Sequence, residues 1–461
     1  MFSERPGGIY LVKDLTTGNP LKLILFFSLP MVVGNLFQQF YNMADSIVVG
    51  QFLGVNALAA VGSTGSISFL VLGFATGTCS GLCIPVAQAF GAGDHKTMRR
   101  YVTNSVYISA AITVFITAGT LLFTRQILVL MQTPADIFED AYAYIIVVFA
   151  GTGALMLYNL LSGVLRALGD SKTPLYFLII ASVLNVGLDV LFIVPFRVGT
   201  AGAAYATVIA QAVSGLLCLA YIWKRFPILR MKGEDWRPDA ALIRRMLAMG
   251  VPMGLQFSLT AVGSILLQTA VNGLGSGIVA AVTAAGKVSL VVTQPMETIG
   301  LTMATYCGQN LGAGKIERIH RGIRTSVALT LGYSVVACLI VALWGGEISR
   351  LFISGDDVDQ ILEQVRYFLV INGLFYPMLT LIFIFRNSLQ GLGSGVPAMT
   401  AGIFELMGRS FVAFCLVDTF GFNAVCFANP AAWVAADLLL LPVYFVVMHR
   451  LRNQYPPQPV D

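Results

Sequence analysis

Residues 23–49, LILFFSLPMVVGNLFQQFYNMADSIVV, form an apolar run long enough to cross a bilayer, and the run carries a carboxylate, Asp45, near its far end. An ionisable group at membrane depth costs at least a few kcal/mol, so it faces a water-filled cavity or a partner in preference to lipid. Tyr41 lies one helical turn earlier, and Phe37 and Gln38 share roughly the same face, because positions three, four, seven and eight apart overlap on a helix. A polar and aromatic face on an apolar helix reads as the wall of a pocket. The alternative is a carboxylate fixed by a neighbouring helix for assembly alone.

Outward from this stretch the composition has the same character. The 461 residues are 57% hydrophobic and only 11% charged, with a mean hydropathy of +0.79, where a soluble domain carries about 25% charged residues. The chain reads as an all-α polytopic membrane protein, its length taken up by a dozen spans with short loops and no soluble catalytic domain. The net charge of +5 resides in short loops, so it reports orientation and implies no nucleic-acid partner. The seven cysteines lie in or beside apolar segments without paired spacing and read as small apolar helix residues, not as a metal site. No cleavable signal pattern precedes the first span, which is expected to remain as a membrane helix.

Apolar runs broken by polar or Gly/Pro clusters place twelve transmembrane helices near 23–49, 56–84, 100–123, 141–162, 174–195, 202–223, 246–272, 278–306, 324–345, 365–387, 398–417 and 424–448. Lys and Arg then divide twenty-two to four between the two sets of connectors, Arg386 being counted with the richer set and Lys287 and Arg409 lying inside spans. Both termini are therefore expected in the cytoplasm, with the acidic connectors near 125–140 and 345–363 outside. The basic stretch 224–245 reads as a cytoplasmic linker between two pseudo-symmetric six-helix bundles, 1–223 and 246–461.

The halves repeat one another. Gln88-Ala89-Phe90-Gly91-Ala92-Gly93 returns as Gln309-Asn310-Leu311-Gly312-Ala313-Gly314, and Leu165-Arg166-Ala167-Leu168-Gly169 with Pro174 parallels Leu389-Gln390-Gly391-Leu392-Gly393 with Pro397. Six spans per copy insert with the same orientation, so the copies are related by an axis along the membrane normal.

Further ionisable residues lie inside spans. Asn185 and Asp189 are four apart in the fifth and share a face. Two carboxylates brought together in a low-dielectric pocket cannot both ionise cheaply, so Asp45 and Asp189, if they meet, form one titrating unit; the same oxygens could instead hold sodium. In the second half, Glu405 and Arg409 are spaced for an ion pair within one helix, and Asp437 lies in the twelfth span. Glu297 follows Pro295, which should bend the eighth span. An unpaired carboxylate at such a bend, with Met296, Met303 and Tyr306 nearby, could receive a cationic substrate; a kinked packing helix is the alternative.

These motifs, in this order over twelve spans, resemble the multidrug and toxic compound extrusion (MATE) transporters: the Pro30–Asp45–Gly50 pattern, the duplicated Gln-x-x-Gly-Ala-Gly element and Leu-Arg-Ala-Leu-Gly-Asp at 165–170. The resemblance implies a V-shaped pair of six-helix bundles around a central cavity, exporting organic cations or other amphiphiles in exchange for protons or sodium ions. It implies an ion-coupling set of Asp45, Tyr41, Asn185, Asp189 and Thr207, with Asn159 a weaker match, and a substrate cavity to which Phe37, Gln38, Glu297, Met296, Met303 and Tyr306 are the candidate contributors. Gln256 and Thr260 stand where the sodium-coupled branch carries a carboxylate in its second half, which favours protons here. No enzymatic activity, cofactor or metal is expected beyond sodium as the alternative ion at Asp45 and Asp189. The expected partners are the lipid bilayer, an inner cell membrane, and small organic cations, and a monomer is expected. The alternative function is a lipid-linked oligosaccharide flippase of similar architecture, whose cavity should be richer in Arg and Lys.

Overall fold

The computed structural model describes residues 14–350 and 358–455; Arg5 and Lys13 of the basic count and Asp356 and Asp357 of the outer acidic connector lie outside the described residues. The described chain is helical, with no strand among those residues. In order the helices are α1 (Pro20–Leu53), α2 (Val55–Ser63), α3 (Gly65–Gly91), α4 (His95–Leu130), α5 (Phe138–Ala150), α6 (Thr152–Ala167), α7 (Lys172–Ile193) and α8 (Thr200–Arg225). After a connector come α9 (Ala240–Asn272), α10 (Ser276–Gly312), α11 (Ile316–Ser349), α12 (Val358–Leu374), α13 (Tyr376–Gly391), α14 (Gly395–Phe411), α15 (Val417–Phe420) and α16 (Phe422–Gln454).

Among the described residues ten helical stretches, one of them α14 continued through α15, are long and apolar enough to cross a membrane, and two bent pairs, α5 with α6 at 44° and α12 with α13 at 49°, bring the spans to the twelve expected. The fourth span of each half, read from hydropathy as one continuous run, is thus a broken helix. Gly151 marks the first break, where a Cβ would collide with Val208. At the second, Pro377 occupies the first turn of α13, where its missing N–H costs nothing.

The repeat is visible in the backbone. Glycines with positive φ stand at equivalent helix boundaries in the two halves: Gly93 and Gly314 (71° each) and Gly169 (88°) and Gly393 (86°) just past helix ends, Gly54 (91°) and Gly275 (102°) and Gly199 (76°) and Gly421 (55°) at the N-caps of the helices that follow. At Gly93, the N–H of Asp94 returns to the carbonyl of Ala89, and at Gly314 that of Lys315 returns to Asn310, so the duplicated Gly-Ala-Gly element is the same helix stop used twice.

The chain divides into two compact units. Leu29–Ser258 belong to the first, and Thr16–Ser28 with the described residues from Leu259 onward belong to the second. The core of the first unit is built by α3, α4, α6 and α8, through Leu82, Val86, Met98, Val164, Leu165 and Cys218. The first half of α9 packs on α3 through glycines on both helices. A Cβ at Gly77 would lie 2.6 Å from the Met253 carbonyl oxygen, and one at Gly81 would lie 2.6 Å from the Gly250 Cα. Small residues at four-residue spacing permit this close approach, the common device of helix packing in membranes.

The basic connector is sutured to α4. Arg99 pairs with Asp235 at 3.0 Å and Arg100 with Asp239 at 2.7 Å, while the Tyr107 hydroxyl donates to the Trp236 carbonyl at 2.8 Å. In the second unit α10 packs on α11 and α13, and α14 on α16, with a π-helical turn at Val412–Leu416 following α14.

Candidate functional site

Four helices of the first unit bring the polar residues of the site together. The far part of α1 meets α2, α7 and α8 through Val49, Ala57, Ile193 and Ala203, all buried. That contact places Asp45, one turn before Val49, beside Asp189, one turn before Ile193, and the two carboxyl groups meet within hydrogen-bonding reach of each other. Asp189 and Asn185 are 0% and 1% exposed, and Asp45 is 9% exposed. The Asn185 amide donates to the Thr207 hydroxyl of α8 at 3.3 Å. This leaves the Asn185 carbonyl oxygen, Oδ1 of Asp45 and both carboxylate oxygens of Asp189 buried with no donor reaching them.

Such an arrangement is costly with both groups ionised. A buried carboxylate without donors forfeits its hydration, and two side by side also repel. What removes the cost is a positive charge: one proton shared by the pair, or a small cation held by the Asp45, Asp189, Asn185 and Thr207 oxygens. The locus offers acceptors to such a charge, and among the described residues no cationic side chain bonds those oxygens.

The flanking residues divide into those at the pair and those away from it. Tyr41 is hydrogen-bonded to Gln38 and stands in the electrostatic field of both carboxylates. Tyr144 of α5 shares that field, with Asp45 acting on it most strongly of the charged neighbours. Reading for helical faces missed Tyr144, an aromatic in an otherwise apolar run. Phe37 and Gln38 are exposed on α1. The amide of Asn159 is spent on the Leu155 carbonyl of its own helix at 2.9 Å, so it turns back to α6.

In the second unit the expected cavity contributors are placed otherwise. Met296, Met303 and Tyr306 are fully buried in helix packing: the Met303 sulfur accepts from the Ser326 hydroxyl at 2.9 Å, and the Tyr306 hydroxyl donates to the Arg318 carbonyl at 3.1 Å. Tyr306 fills the space that Gly322 leaves open, so these side chains form core between α10 and α11 instead of a wall offered to a ligand. Glu297 is not unpaired either, since it accepts from Gln294 at 3.2 Å and lies in the field of Arg386. Arg386, counted above with the loop residues, lies inside α13, 8% exposed, and bonds Glu405 at 2.8 Å. The expected Glu405–Arg409 pair is the longer one, at 3.9 Å.

Internally repeated, all-helical and polytopic, with a carboxylate pair between helices at membrane depth, the molecule has the form of a membrane transporter. The MatE family model matches residues 30–191 and again 252–414, once in each half, and the chain belongs to that family of transporters. It is 32% identical over 396 residues to the probable multidrug resistance protein YpnP of Bacillus subtilis, covering 85% of this chain and 87% of that protein. It is 28% identical over 429 residues to YoeA of the same organism, a further probable multidrug resistance protein, covering 91% and 92%. Among solved structures, a MOP superfamily transporter from Pyrococcus furiosus superposes with a TM-score of 0.89 at 23% identity, covering 95% of this chain and 98% of that one, which bears on the fold.

Proposed function

We propose that the protein exports organic cations or amphiphilic compounds from the cell, driven by protons entering through the Asp45–Asp189 pair. The carrying observation is that pair: two carboxyl groups in mutual reach, with Oδ1 of Asp45 and both oxygens of Asp189 buried and undonated. A proton from outside neutralises the unit and weakens its hold on a cationic substrate; departure of the proton to the cytoplasm restores the charge that attracts the next one. Ion and substrate then stabilise different states, which is all that exchange requires. Sodium is the second reading, favoured by the side-chain oxygens of Asp45, Asp189, Asn185 and Thr207 at one locus. The multidrug resistance relatives support export over the flippase reading. In this proposal the protein acts as a transporter without enzymatic activity or cofactor, as a monomer in the inner membrane with both termini cytoplasmic, the orientation that the basic connectors favour.

The test is ethidium transport in inverted vesicles under an imposed pH gradient or an imposed sodium gradient, wild type beside Asp45→Asn. Transport driven by the pH gradient and reduced at least about tenfold by the substitution is expected, a loss of about 1.4 kcal/mol or more in coupling terms. Drive by sodium alone selects the second reading. Transport indifferent to both gradients, or unchanged in Asp45→Asn, overturns ion coupling at this pair.

A further inference from the structure

We infer that the C-terminal unit carries a second exchangeable proton, on Asp437 of α16, beside the Arg386–Glu405 ion pair. It rests on residues that the coupling pair does not use.

Asp437 is 4% exposed, and both of its carboxylate oxygens are buried with no donor among the described residues reaching them. It lies in the middle of α16, about two dozen ångströms of helix from either end. From the elements packed against α16, α13 presents Arg386 and α14 presents Glu405, and these are the charged groups that act on Asp437. Arg409, also on α14, donates from its Nε to the side-chain Oδ1 of Asn429 at 3.3 Å and stands 3.9 Å from Glu405. Of the charged residues of α12, Asp359 pairs with Arg350 and Arg366 with Glu347, and Glu363 is exposed, as is Asp418 on α15. Glu297 on α10 completes the group through the field of Arg386.

The balance of these charges decides the matter. Two guanidinium groups, Arg386 and Arg409, face three carboxyl groups, Glu405, Glu297 and Asp437. Both guanidiniums already hold partners, and Asp437 is the carboxyl that receives no donor. Leaving it ionised in this interior costs far more than a missing hydrogen bond, and a buried acid in that position takes up a proton. With one proton on Asp437 the group is neutral, two positive charges against two negative. A metal cation suits the place poorly, because the positive charge of Arg386 already acts on Asp437 and is bonded to Glu405.

The proton is held next to an arginine with two possible carboxylate partners. When Asp437 gives it up, Arg386 is drawn from Glu405 on α14 towards Asp437 on α16. Protonation of Asp437 therefore biases how α13 pairs with α14 and α16, the kind of two-position element through which a bound ion acts on a helix bundle.

Infrared spectroscopy of the purified, reconstituted protein at neutral pH reads the proton directly, as the C=O stretch of a buried carboxylic acid that shifts in heavy water. The expected result is that Asp437→Asn loses one such band while the Asp45→Asn/Asp189→Asn double variant retains it, and that Asp437→Glu moves it in frequency. Asp437→Glu carries the test if Asp437→Asn does not fold. A band equally strong in wild type and Asp437→Asn, or unmoved in Asp437→Glu, overturns the inference. Loss of every band in the double variant alone leaves proton coupling at the first pair intact and removes this site.

Discussion

At Asp189 stability and function pull in opposite directions. Its side chain is fully buried, its oxygens receive no donor, and its nearest charged neighbour is another carboxylate. Replacing such a group by an apolar one of similar size removes its desolvation cost and gives up no more than the shared proton's hydrogen bond to Asp45, so Asp189→Leu should raise the thermal unfolding temperature in detergent, by about 1–3 kcal/mol of stability, while abolishing gradient-driven transport. Equal or lower stability would mean that Asp189 is bonded in a way the geometry does not show. Arg386 is the converse case, since it holds Glu405 at 2.8 Å and both are buried. Arg386→Met should cost about 3–5 kcal/mol by stranding Glu405, and Arg386→Met with Glu405→Met should recover most of that loss in a double-mutant cycle. Part of this chemistry was legible in the sequence. Asn185 and Asp189 declare themselves by four-residue spacing in an apolar run, and Asp45 by its depth. Tyr144 gives no such sign, because an aromatic in an apolar helix looks the same whether it faces lipid, core or a carboxylate. Arg386 resembles a loop residue in the sequence because it precedes a Gly-x-Gly turn by about one and a half turns of helix. Met303 and Tyr306 look like lining in the sequence because proximity to Glu297 does not reveal which side of α10 faces α11.

Between elements, the tightest constraint is the crossing of α3 and α9. Gly81 sits against the Gly250 backbone, whereas Gly119 on α4 has open space where a Cβ would go. Gly81→Leu should cost about 1–3 kcal/mol or prevent accumulation of folded protein, while Gly119→Ala should be neutral or stabilise by up to about 1 kcal/mol, both checked by thermal unfolding. The connector offers a second test, in pH. The Leu242 backbone amide, with Ala241 and Arg100 assisting against a small opposing effect of burial, holds Asp239 below the usual carboxylate range; for Asp235, burial acts upward but is outweighed by the Lys232 amide and Arg99. Carboxylates depressed in the folded state stabilise it above their unfolded pKa of about 3.9, and that contribution disappears as pH falls through the folded value. Amide exchange in 227–242 should therefore accelerate, at matched intrinsic rates, as the pH is taken below the ordinary carboxylate range, and Asp235→Asn should show the faster exchange already at neutral pH. Exchange independent of pH after that correction would show that the Tyr107 and Trp236 contacts hold the connector without its ion pairs. Charge composition identified this stretch as a basic connector; its docking on α4 depends on acids 135 to 140 residues away, which no local pattern announces.

For the whole molecule, the span count followed from hydropathy because the bilayer fixes the length of an apolar run, and the duplication followed from glycine stops that must recur wherever the same turn recurs. Where one compact unit ends is a different matter, since a helix can serve one unit with its first half and another with its second. The basic connector suggests a boundary at residue 223, yet the first unit extends to Ser258 and includes the part of α9 that carries Gly250 and Gly254. A chain ending at residue 223 would leave the glycine face of α3 uncovered and the connector's acids missing from Arg99 and Arg100. Without hydrophobic driving force between helices in lipid, close packing of this kind supplies much of the association. Residues 1–223 expressed alone should therefore aggregate on detergent extraction, whereas residues 1–272 should extract as a single species by size-exclusion chromatography, with the Asp45–Asp189 pair assembled. The assembled pair can be read from its infrared carboxyl signature, which Asp189→Asn within that fragment should remove. Equal behaviour of the two fragments would show that the first eight helices hold together without α9, and that its glycines matter to the fit of α3 and not to the integrity of the unit.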